Sequence, residues 1–367
     1  MERLNWHMAD ELSKYAEVHI IGPQGAAGQK PPNVKLTQIP LKPLPLFLTM
    51  AFIQGLWQTI TWKPDTILAG SGLTAPAAWL LGALGSAKSA AYLHGFDVAV
   101  ANSIYRRVWR PTFKKLDRVI VNSTPTRHLT LSAAVPDEKI STVFPGTTLP
   151  QAEQPQDQIL SFKRKHGLEG KKIMLSVGRL TTRKGLREFV SLSLPAIIAA
   201  EPDAVLVIVG EAPKHSLGAG IQSQESILVA AKAAGVESHL KFLGVITDKT
   251  ELATAYEAAT VHVFPVRQIH GDPEGFGMVA IEAAAHGTPT VAFATGGIVD
   301  AVLDAQSGYL ITEQSYPALA AEIKRVLEGQ RDWQSSCQRF AKEFEWLFFG
   351  AKIAEVLELL PKSTRRD

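Results

Sequence analysis

Two glutamates, Glu274 and Glu282, flank a glycine-rich turn and an apolar run within GDPEGFGMVAIEAAAHGTPTVAF (residues 271–293). This stretch follows the apolar run VHVFPV (261–266), so the pattern indicates a strand, a loop and then a helix that ends before Gly287. Glu274 would lie in the loop and Glu282 on the helix, roughly 7.5 Å further along the axis than the turn. Two carboxylates placed in this way could be a catalytic acid pair, hold two parts of one extended ligand, or simply be solvated.

The glycines of this turn favour an anionic ligand. Gly275 and Gly277 allow the backbone to approach a ligand closely, and the first N–H groups of the following helix have no acceptor within the helix. Together with the positive end of the helix dipole, they predict a phosphate site. Ile281 and Ala283 surround Glu282 with apolar side chains, and a carboxylate in that setting usually needs a partner.

A second cluster of chemically active residues occurs in SVGRLTTRKGL (176–186). Gly178 ends an apolar run, and Arg179, Arg183 and Lys184 follow in the turn before a helix. Cations at the carboxyl edge of a parallel sheet lie where doubly wound folds bind phosphates. The alternative is that these side chains only keep the turn soluble.

A third pair of polar residues, His94 and Asp97, leaves another predicted strand in YLHGFD (92–97). A lone histidine at such a position is more often a hydrogen-bonded structural residue than a catalytic one. The adjacent glycine and aspartate support the functional interpretation modestly, and both interpretations stay open.

The stretch IYRRVWRPTFKKLDRV (104–119) combines aromatic and aliphatic residues at helical spacing with basic residues on the other side. The expected apolar face consists of Tyr105, Val108, Trp109, Thr112, Phe113 and Leu116. Such a helix could lie against anionic lipid headgroups, although an ordinary solvated face is the simpler alternative. Pro111 interrupts the pattern, so two short helices are as consistent with it as one.

Short β-branched runs alternate with longer helical patterns along most of the chain, which predicts parallel sheets covered by helices and therefore an α/β fold. The predicted strands are residues 17–22, 65–70, 89–95, 118–123, 172–178, 204–210, 240–244, 261–266 and 289–294. The proline-rich, polar stretch VFPGTTLPQAEQPQDQ (143–158) separates two series of strands and is the best linker candidate.

The composition restricts the class of protein. The chain has 367 residues, of which 46% are hydrophobic and 20% charged, as expected for a globular protein with two cores. Its single cysteine, Cys337, excludes an internal disulfide, and no Cys/His spacing typical of structural zinc occurs. Residues 1–150 hold 15 Lys/Arg against 9 Asp/Glu, so the first half is basic while the remainder is mildly acidic.

Two segments bear on membranes and export. The N-terminus lacks the pattern of a secretory signal, which favours a cytoplasmic protein. The uncharged stretch PLPLFLTMAFIQGLWQTITW (43–62) has the length of a membrane span, but glutamine, glycine and threonine interrupt it. We therefore expect a buried or interfacial helix there.

Taken together, these stretches resemble family 4 of the glycosyltransferases. Glu274 and Glu282 match the E-x7-E motif in its EGFG context, VGRLTTRKG matches the Gly-Arg…Lys-Gly element, and VIVGE, FLG, GTPTVAFATGG and SGYLI follow in the expected order. HGFD, DRVIVNS and TVFPG in the first half are similar but looser. The resemblance covers nearly the whole chain and implies a GT-B fold, in which two Rossmann-like doubly wound domains face each other across a cleft.

The resemblance also implies a domain division. Residues 1–150 would form the acceptor-side domain, residues 151–345 the nucleotide-sugar domain, and residues 346–367 a C-terminal helix that packs back on the first domain. Family members begin with a strand and a Gly-rich turn before the helix that here reads ERLNWHMADELSKY, whose expected buried stripe is Leu4, Met8, Leu12 and Tyr15. We expect this strand to be missing from the chain as given.

The activity implied by the resemblance is transfer of a sugar from a nucleoside diphosphate sugar to a glycan or lipid-linked acceptor, with retention of configuration and without a metal or other cofactor. Glu274 would hold hydroxyls of the donor sugar and Glu282 the ribose, and Arg179 and Lys184 would neutralise the departing diphosphate. Backbone amides of Phe276 to Met278, in a turn opened by Gly275 and Gly277, would bind its distal phosphate, and Gly178 would border the donor. His94 would face the reacting sugar or acceptor, and Asp97 would serve the acceptor side or the structure.

The implied partners are the donor, the acceptor and, through residues 104–119, the inner face of an anionic membrane; no nucleic acid is expected. Three alternatives remain open at this point. They are a non-catalytic GT-B protein that binds nucleotide sugars or serves as a partner subunit, a nucleotide-sugar epimerase, and a nicotinamide oxidoreductase. The last would bind its cofactor at Gly70, Gly72 and Ala75, which match a dinucleotide fingerprint in spacing but lack the acid about twenty residues on, so we expect a tight turn there.

Overall fold

The computed structural model describes residues 2–213, 220–329 and 331–359, and the chain divides into two compact units. The first unit comprises residues 1–146 together with the segment from residue 345 onward. The second unit comprises residues 147–344. The boundary after Gly146 falls within the proline-rich stretch 143–158.

The first unit contains two parallel sheets, one of two strands in the order β1-β2 and one of four strands in the order β3-β4-β5-β6. Its strands are β1 (Val18–Pro23), β2 (Val34–Ile39), β3 (Thr66–Ala69), β4 (Lys88–Leu93), β5 (Arg118–Val121) and β6 (Ile140–Thr142). Its first six α-helices are α1 (Glu2–Leu12), α2 (Leu44–Thr61), α3 (Ala75–Gly85), α4 (Gly95–Ala99), α5 (Arg110–Phe113) and α6 (Thr124–Ser132). The core lies on β4 and β5, whose apolar side chains are almost fully buried, as expected for strands covered on both faces.

The first two helices bear on two expectations. Leu4, Met8 and Leu12 form the buried stripe of α1 as predicted, whereas Tyr15 lies beyond the helix and is only half-buried. The uncharged stretch forms α2, and among the described helices none is both long and apolar enough to cross a bilayer.

The basic stretch 104–119 folds differently from a regular amphipathic helix. Residues Tyr105–Trp109 form a π-helical turn that continues directly into α5, and the N–H of Arg110 donates to the carbonyl of Tyr105 five residues earlier. Because this turn holds more residues than an α-helical one, it changes which side chains point inward. Phe113 is buried, whereas Val108, which was expected on the same apolar face, is 56% exposed.

The second unit is built on one six-stranded parallel sheet in the order β12-β11-β10-β7-β8-β9. The strands are β7 (Lys172–Val177), β8 (Ala204–Val209), β9 (Leu240–Gly244), β10 (Val261–Phe264), β11 (Thr290–Phe293) and β12 (Gly308–Ile311). The helices are α7 (Gln156–Lys165), α8 (Leu186–Leu192), α9 (Leu194–Ala200), α10 (Gln224–Ala233), α11 (Lys249–Ala258), α12 (Met278–Ala285), α13 (Ile298–Ala301), α14 (Tyr316–Leu327) and α15 (Gln334–Lys342). The chain adds β8 and β9 on one side of β7 and then crosses to add β10, β11 and β12 on the other side.

The last helix, α16 (Trp346–Val356), belongs to the first unit. The ring of Trp346 stacks on His7 of α1 with 3.8 Å between ring centroids. Gly350 lets the two helices approach closely, since a Cβ there would lie 2.4 Å from the Cβ of Glu11. The helix begins at Trp346 as predicted but ends at Val356, so it is shorter than the helix expected over residues 346–367.

Candidate functional site

The strand order of the second unit places a ligand crevice at the carboxyl ends of β7 and β10. These neighbouring strands are where the direction of winding reverses, so the loops that follow them leave the sheet in opposite directions and open a gap between them. Gly178 to Lys184 follow β7, and the loop that contains Glu274 follows β10. The two motifs singled out in the sequence therefore meet at one edge of the sheet.

Backbone contacts hold the two loops together. Thr182–Lys184 form a 3₁₀ turn that ends at Gly185, whose φ of 69° suits glycine. A Cβ at Gly185 would lie 2.2 Å from the carbonyl oxygen of Pro265, so a larger residue could not occupy this position without moving the loop after β10. The N–H of Arg267 also donates to the carbonyl of Arg183 at 2.8 Å.

Buried ion pairs form the centre of the site. The ammonium of Lys184 lies 2.9 Å from Oε2 of Glu274, and Nε of Arg183 lies 3.5 Å from the same oxygen. Arg183 also contacts Asp272 at 3.3 Å and donates to the carbonyl of Pro273 at 2.6 Å. The side chains of Lys184, Arg183 and Glu274 are each 15% exposed or less, so little water screens these charges.

The charge state of Glu274 follows from this arrangement. Burial alone would raise the pKa of its carboxyl group, but Lys184 and Arg183 outweigh burial and hold the pKa below its usual value. Burial lowers the pKa of the Lys184 ammonium, and the ion pair with Glu274 offsets part of that effect. Glu274 is therefore a carboxylate at neutral pH, able to accept hydrogen bonds from hydroxyl groups and unable to donate a proton.

Arg179 lies at the rim of the cluster. Its side chain is exposed and takes part in no ion pair with another described residue, yet its charge also lowers the pKa of Glu274. Gly178, just before it, has a φ of 143°, and a Cβ there would lie 3.6 Å from Cε of Lys184. The end of β7 therefore places beside the buried ion pairs a guanidinium that has no ion pair within the described part of the chain.

The glycine-rich turn before α12 is fixed by its neighbours. Gly277 caps the helix in the left-handed region, with a φ of 92°, and Met278 is the first helical residue. The N–H of Gly297 donates to the carbonyl of Glu274 at 3.0 Å, and a Cβ at Gly297 would lie 2.1 Å from the carbonyl oxygen of Gly275. This turn places the positive, N-terminal end of α12 beside Glu274, where an anion would be stabilised.

Phe276 contributes its backbone rather than its side chain to this turn. Its ring is 3% exposed and packs against Phe344 with 5.8 Å between centroids. The ring of Phe276 is therefore part of the core of the second unit and is not exposed to a ligand.

Glu282 has the partner that its apolar surroundings led us to expect. The hydroxyl of Tyr256 on α11 donates to Oε2 of Glu282 at 3.2 Å. Tyr256 is 2% exposed, its ring stacks on His286, and its carbonyl accepts a hydrogen bond from the hydroxyl of Thr288. Sequence reasoning missed Tyr256 because no local pattern links a residue on α11 to one 26 positions later on α12.

Thr295 is a second residue that the sequence analysis did not single out. It follows β11, is 4% exposed, and its hydroxyl has no hydrogen-bond partner among the described residues. Gly296, the next residue, packs so closely on the loop that a Cβ there would lie 2.5 Å from the carbonyl oxygen of Glu274. The only signal in the sequence was the position of Thr295 between an apolar strand and two glycines.

His94 and Asp97 belong to the first unit. The N–H of His94 donates to Oδ2 of Asp97 at 2.8 Å at the start of α4, and Nε2 of His94 lies 3.2 Å from the carbonyl of Gly70. Burial lowers the pKa of His94 to about 4 and raises the pKa of Asp97 to about 6. His94 is therefore neutral at pH 7, and Asp97 acts as part of a capping box, which favours its structural role.

Within the described parts of the chain, no group of three or more His, Cys, Asp and Glu side chains could hold a metal ion.

The architecture and the site define the class of protein: two Rossmann-like α/β units, one of them with cations, a carboxylate and a helix N-terminus at its switch point, form the GT-B fold of glycosyltransferases. The chain belongs to the family Glycosyl transferases group 1, whose model matches residues 158–344. A model described as Glycosyltransferase Family 4 matches residues 1–149. Both the expected fold and the expected family are thereby confirmed.

Curated relatives agree with this assignment. A glycogen synthase of Mycobacterium tuberculosis is 27% identical over 313 residues, which cover 81% of this chain and 69% of the relative. A GDP-mannose-dependent alpha-(1-6)-phosphatidylinositol monomannoside mannosyltransferase of Mycolicibacterium smegmatis is 28% identical over 301 residues, which cover 78% of this chain and 75% of the relative. The chain is therefore a glycosyltransferase of the family 4 type.

Solved structures support the fold. Anabaena HepE in complex with UDP and glucose is 19% identical and superposes with a TM-score of 0.76, covering 97% of this chain and 95% of that one. A glycosyltransferase from Rickettsia africae is 16% identical with a TM-score of 0.77, covering 96% of this chain and 93% of that one. At these identities the likeness establishes the architecture alone.

Proposed function

We propose that this glycosyltransferase transfers a hexose from a nucleoside diphosphate sugar to a glycan or lipid-linked acceptor, with retention of configuration and without a metal cofactor. The observation that carries the proposal is the buried contact of Lys184 and Arg183 with Glu274 beside the N-terminus of α12. The names of relatives support the choice of donor, since one mannosyltransferase depends on GDP-mannose and HepE was solved with UDP-glucose.

Charge development explains what the cations would do. When a nucleoside diphosphate leaves, negative charge accumulates on its phosphate oxygens, so cations and a helix N-terminus placed there stabilise the transition state more than the ground state. Lys184 and Arg179 would supply the cations, while the amides of Phe276 to Met278 would bind the distal phosphate. Gly178, Gly275 and Gly277 would allow the backbone to come close to the diphosphate.

Glu274 and Glu282 would orient the two ends of the donor. Glu274 is an ionised acceptor held by two cations, which suits hydrogen bonds to hydroxyls of the sugar. A retaining glycosidase would instead need a nucleophile and an acid about 5–5.5 Å apart across one bond. Two carboxylates that hold opposite ends of the donor need not meet that spacing, and the resemblance to family 4 suggests a front-face transfer without a protein nucleophile, with Glu282 on the ribose.

The first unit would supply the acceptor side. His94 is neutral at pH 7 and its Nε2–H donates to the carbonyl of Gly70, so towards a sugar or acceptor its other ring nitrogen could only accept a hydrogen bond. Residues 104–119 would bring the protein to the cytoplasmic face of an anionic membrane, where lipid-linked acceptors are found; the name of the mycobacterial relative, a phosphatidylinositol mannoside enzyme, supports this placement.

The donor site is tested by replacing single side chains. Glu274→Ala, Lys184→Ala and Arg179→Ala should each lower kcat/KM for sugar transfer by roughly 30- to 1000-fold, because a well-placed charge contact contributes on the order of 2–4 kcal/mol to the transition state. Lys232→Ala, which removes an exposed cation on α10, is the matched control and should keep normal rates. The donor is first chosen by thermal shift against UDP, GDP and ADP sugars. Near-normal rates in all three variants would refute the assignment.

A further inference from the structure

A cavity of about 470 Å³ in the first unit is lined by basic side chains that the donor site does not use. It lies between the turn around residues 103–114 and the end of α6. Its polar lining consists of Ser103, Arg106, Arg107, Arg110, Lys114 and Ser132. Its volume falls within the range of about 300–1,000 Å³ in which proteins bind small organic ligands.

Among the residues that the structure describes, no carboxylate is paired with the cations of this cavity. The described residues that line it include no carboxylate, and none of its four cations forms an ion pair with a described residue. Asp137, which follows α6 in sequence, is paired with Arg127 instead. Like charges gathered around one cavity repel each other, so an anion bound between them would lower the electrostatic energy of the folded protein.

The basic segment is firmly attached to the unit. The indole N–H of Trp109 donates to the carbonyl of Leu73 at 2.9 Å, and the hydroxyl of Thr112 donates to the carbonyl of Trp109 at 2.6 Å. Phe113 is fully buried. Because these contacts fix the backbone, the cations are presented together on its outer side, and less order has to be imposed when a ligand binds.

Two exposed apolar side chains lie on the same segment. Ile104 is 67% exposed and Val108 is 56% exposed, and they bracket Arg106 and Arg107 in sequence. Apolar residues next to a cationic site match an anionic lipid, whose headgroup carries the phosphate and whose acyl region begins a few ångströms away.

We infer that this cavity binds a phosphate ester, carried by an anionic lipid, while Ile104 and Val108 enter the bilayer interface. This inference rests on the membrane contact proposed above and adds a defined headgroup site to it. A free phosphorylated compound would offer the same phosphate, so the test must separate the two sources.

The test uses the full chain and two variants of equal net charge. Arg106→Gln/Arg110→Gln/Lys114→Gln removes three cations from the cavity, and Arg164→Gln/Lys232→Gln/Lys249→Gln removes three exposed cations from the second unit. Flotation with phosphatidylcholine vesicles, with and without phosphatidylglycerol, measures lipid binding. Calorimetry with sn-glycerol 3-phosphate measures binding of the soluble phosphate ester.

We expect binding to phosphatidylglycerol vesicles to fall on the order of fivefold for each cation removed from the cavity, and to change far less in the control. Ile104→Ser/Val108→Ser should weaken vesicle binding and leave binding of glycerol phosphate unchanged. Equal losses in both triple variants, or no binding of either phosphate source by the unmodified protein, would overturn the inference.

Two further measurements separate the sources of the phosphate and distinguish the cavity from the donor site. Binding of glycerol phosphate without vesicle binding would keep the phosphate site and reject the lipid as its source. Thermal shift with the nucleoside diphosphate sugar should be the same for the cavity variant as for the unmodified protein. If the unmodified protein shows no thermal shift with any nucleoside diphosphate sugar, the proposed donor site is contradicted, while the result for the cavity is unaffected.

Discussion

The ion pairs around Glu274 give the second unit a site that is stable in itself and receptive to an anion. Removing one partner of a buried ion pair lowers the stability of the folded protein, because the remaining charge is left buried without compensation. A diphosphate bound beside Lys184 would accept hydrogen bonds from the same ammonium group that contacts Glu274. In the proposed mechanism, Lys184, which pairs with Glu274, would also face the leaving group.

Tyr256 provides a test of whether Glu282 is positioned for the donor. Tyr256→Phe removes the hydrogen bond to Oε2 of Glu282 but keeps the buried ring, so the fold should persist. We expect KM for the donor to rise roughly tenfold with little change in kcat, because the ribose contact contributes equally to the ground and transition states. The variant should also discriminate less between the donor and its 2′-deoxyribose analogue, which a purely structural role would not affect.

Tyr309→Phe is the matched control for this experiment. Tyr309 lies on β12 in the same unit, and its hydroxyl has no hydrogen bond to another described residue. An unchanged KM and unchanged discrimination in Tyr256→Phe would show that Glu282 does not depend on this hydroxyl.

At the level of elements, the loops at the carboxyl edge of the six-stranded sheet are held by close backbone contacts. Gly185 contacts the carbonyl of Pro265, and Gly297 contacts the carbonyl of Gly275. These contacts join the loops after β7, β10 and β11, so the position of Glu274 depends on all three. The site is therefore a property of neighbouring strand ends rather than of one motif.

Gly297→Ala tests this dependence. The φ of Gly297 is −69°, which alanine adopts without strain, but the new Cβ would lie 2.1 Å from the carbonyl oxygen of Gly275 and 2.6 Å from Cα of Phe276. We expect the displaced turn to lower kcat/KM at least tenfold and the free energy of unfolding by about 1–3 kcal/mol. Steady-state kinetics and urea unfolding provide the two measurements.

Gly28→Ala is the control for that substitution. A Cβ at Gly28 would meet no atom within 4 Å, and its backbone lies outside the left-handed region. This variant should match the unmodified protein in both measurements. Full activity of Gly297→Ala would show that the turn tolerates displacement and that the donor does not need it in place.

For the molecule as a whole, the chain passes from the first unit to the second after residue 146 and back after residue 344. The last helix, α16, completes the first unit by packing on α1, so residues more than 300 positions apart depend on each other. The first unit can reach its final packing only after the C-terminal segment has been made.

Trp346→Ala should therefore destabilise the first unit selectively. Its ring stacks on His7 and also covers Gly146, where a Cβ would lie 2.6 Å from the indole. Loss of a buried tryptophan costs about 3–5 kcal/mol. Hydrogen exchange should show faster exchange in β4 and β5 than in the unmodified protein, while β7 and β8 change little.

Phe348→Ala is the control on the same helix, because Phe348 is 54% exposed and contributes little burial. An equal loss of protection in both units of Trp346→Ala would mean that α16 does not serve the first unit specifically.

The sequence by itself determined the α/β class, the identity of the motif residues and the local elements with strong patterns. The strand at 240–244 lies where predicted, and α12 ends before Gly287, which has a φ of 78°. These features depend on hydrophobic runs and on glycine, which act over a few neighbouring residues. Three strands, β2, β6 and β12, were not predicted from the sequence. Of these, β6 has only three residues.

Only the tertiary structure decided which side chains meet. Lys184 and Glu274 are 90 residues apart and pair because β7 and β10 are neighbours in the sheet. Tyr256 reaches Glu282 because α11 and α12 contribute to the same hydrophobic core. The spacing of apolar residues likewise did not predict the π-helical turn that exposes Val108. Strand order and helix register arise from packing between distant parts of the chain, whereas periodicity and turn residues report only on local geometry.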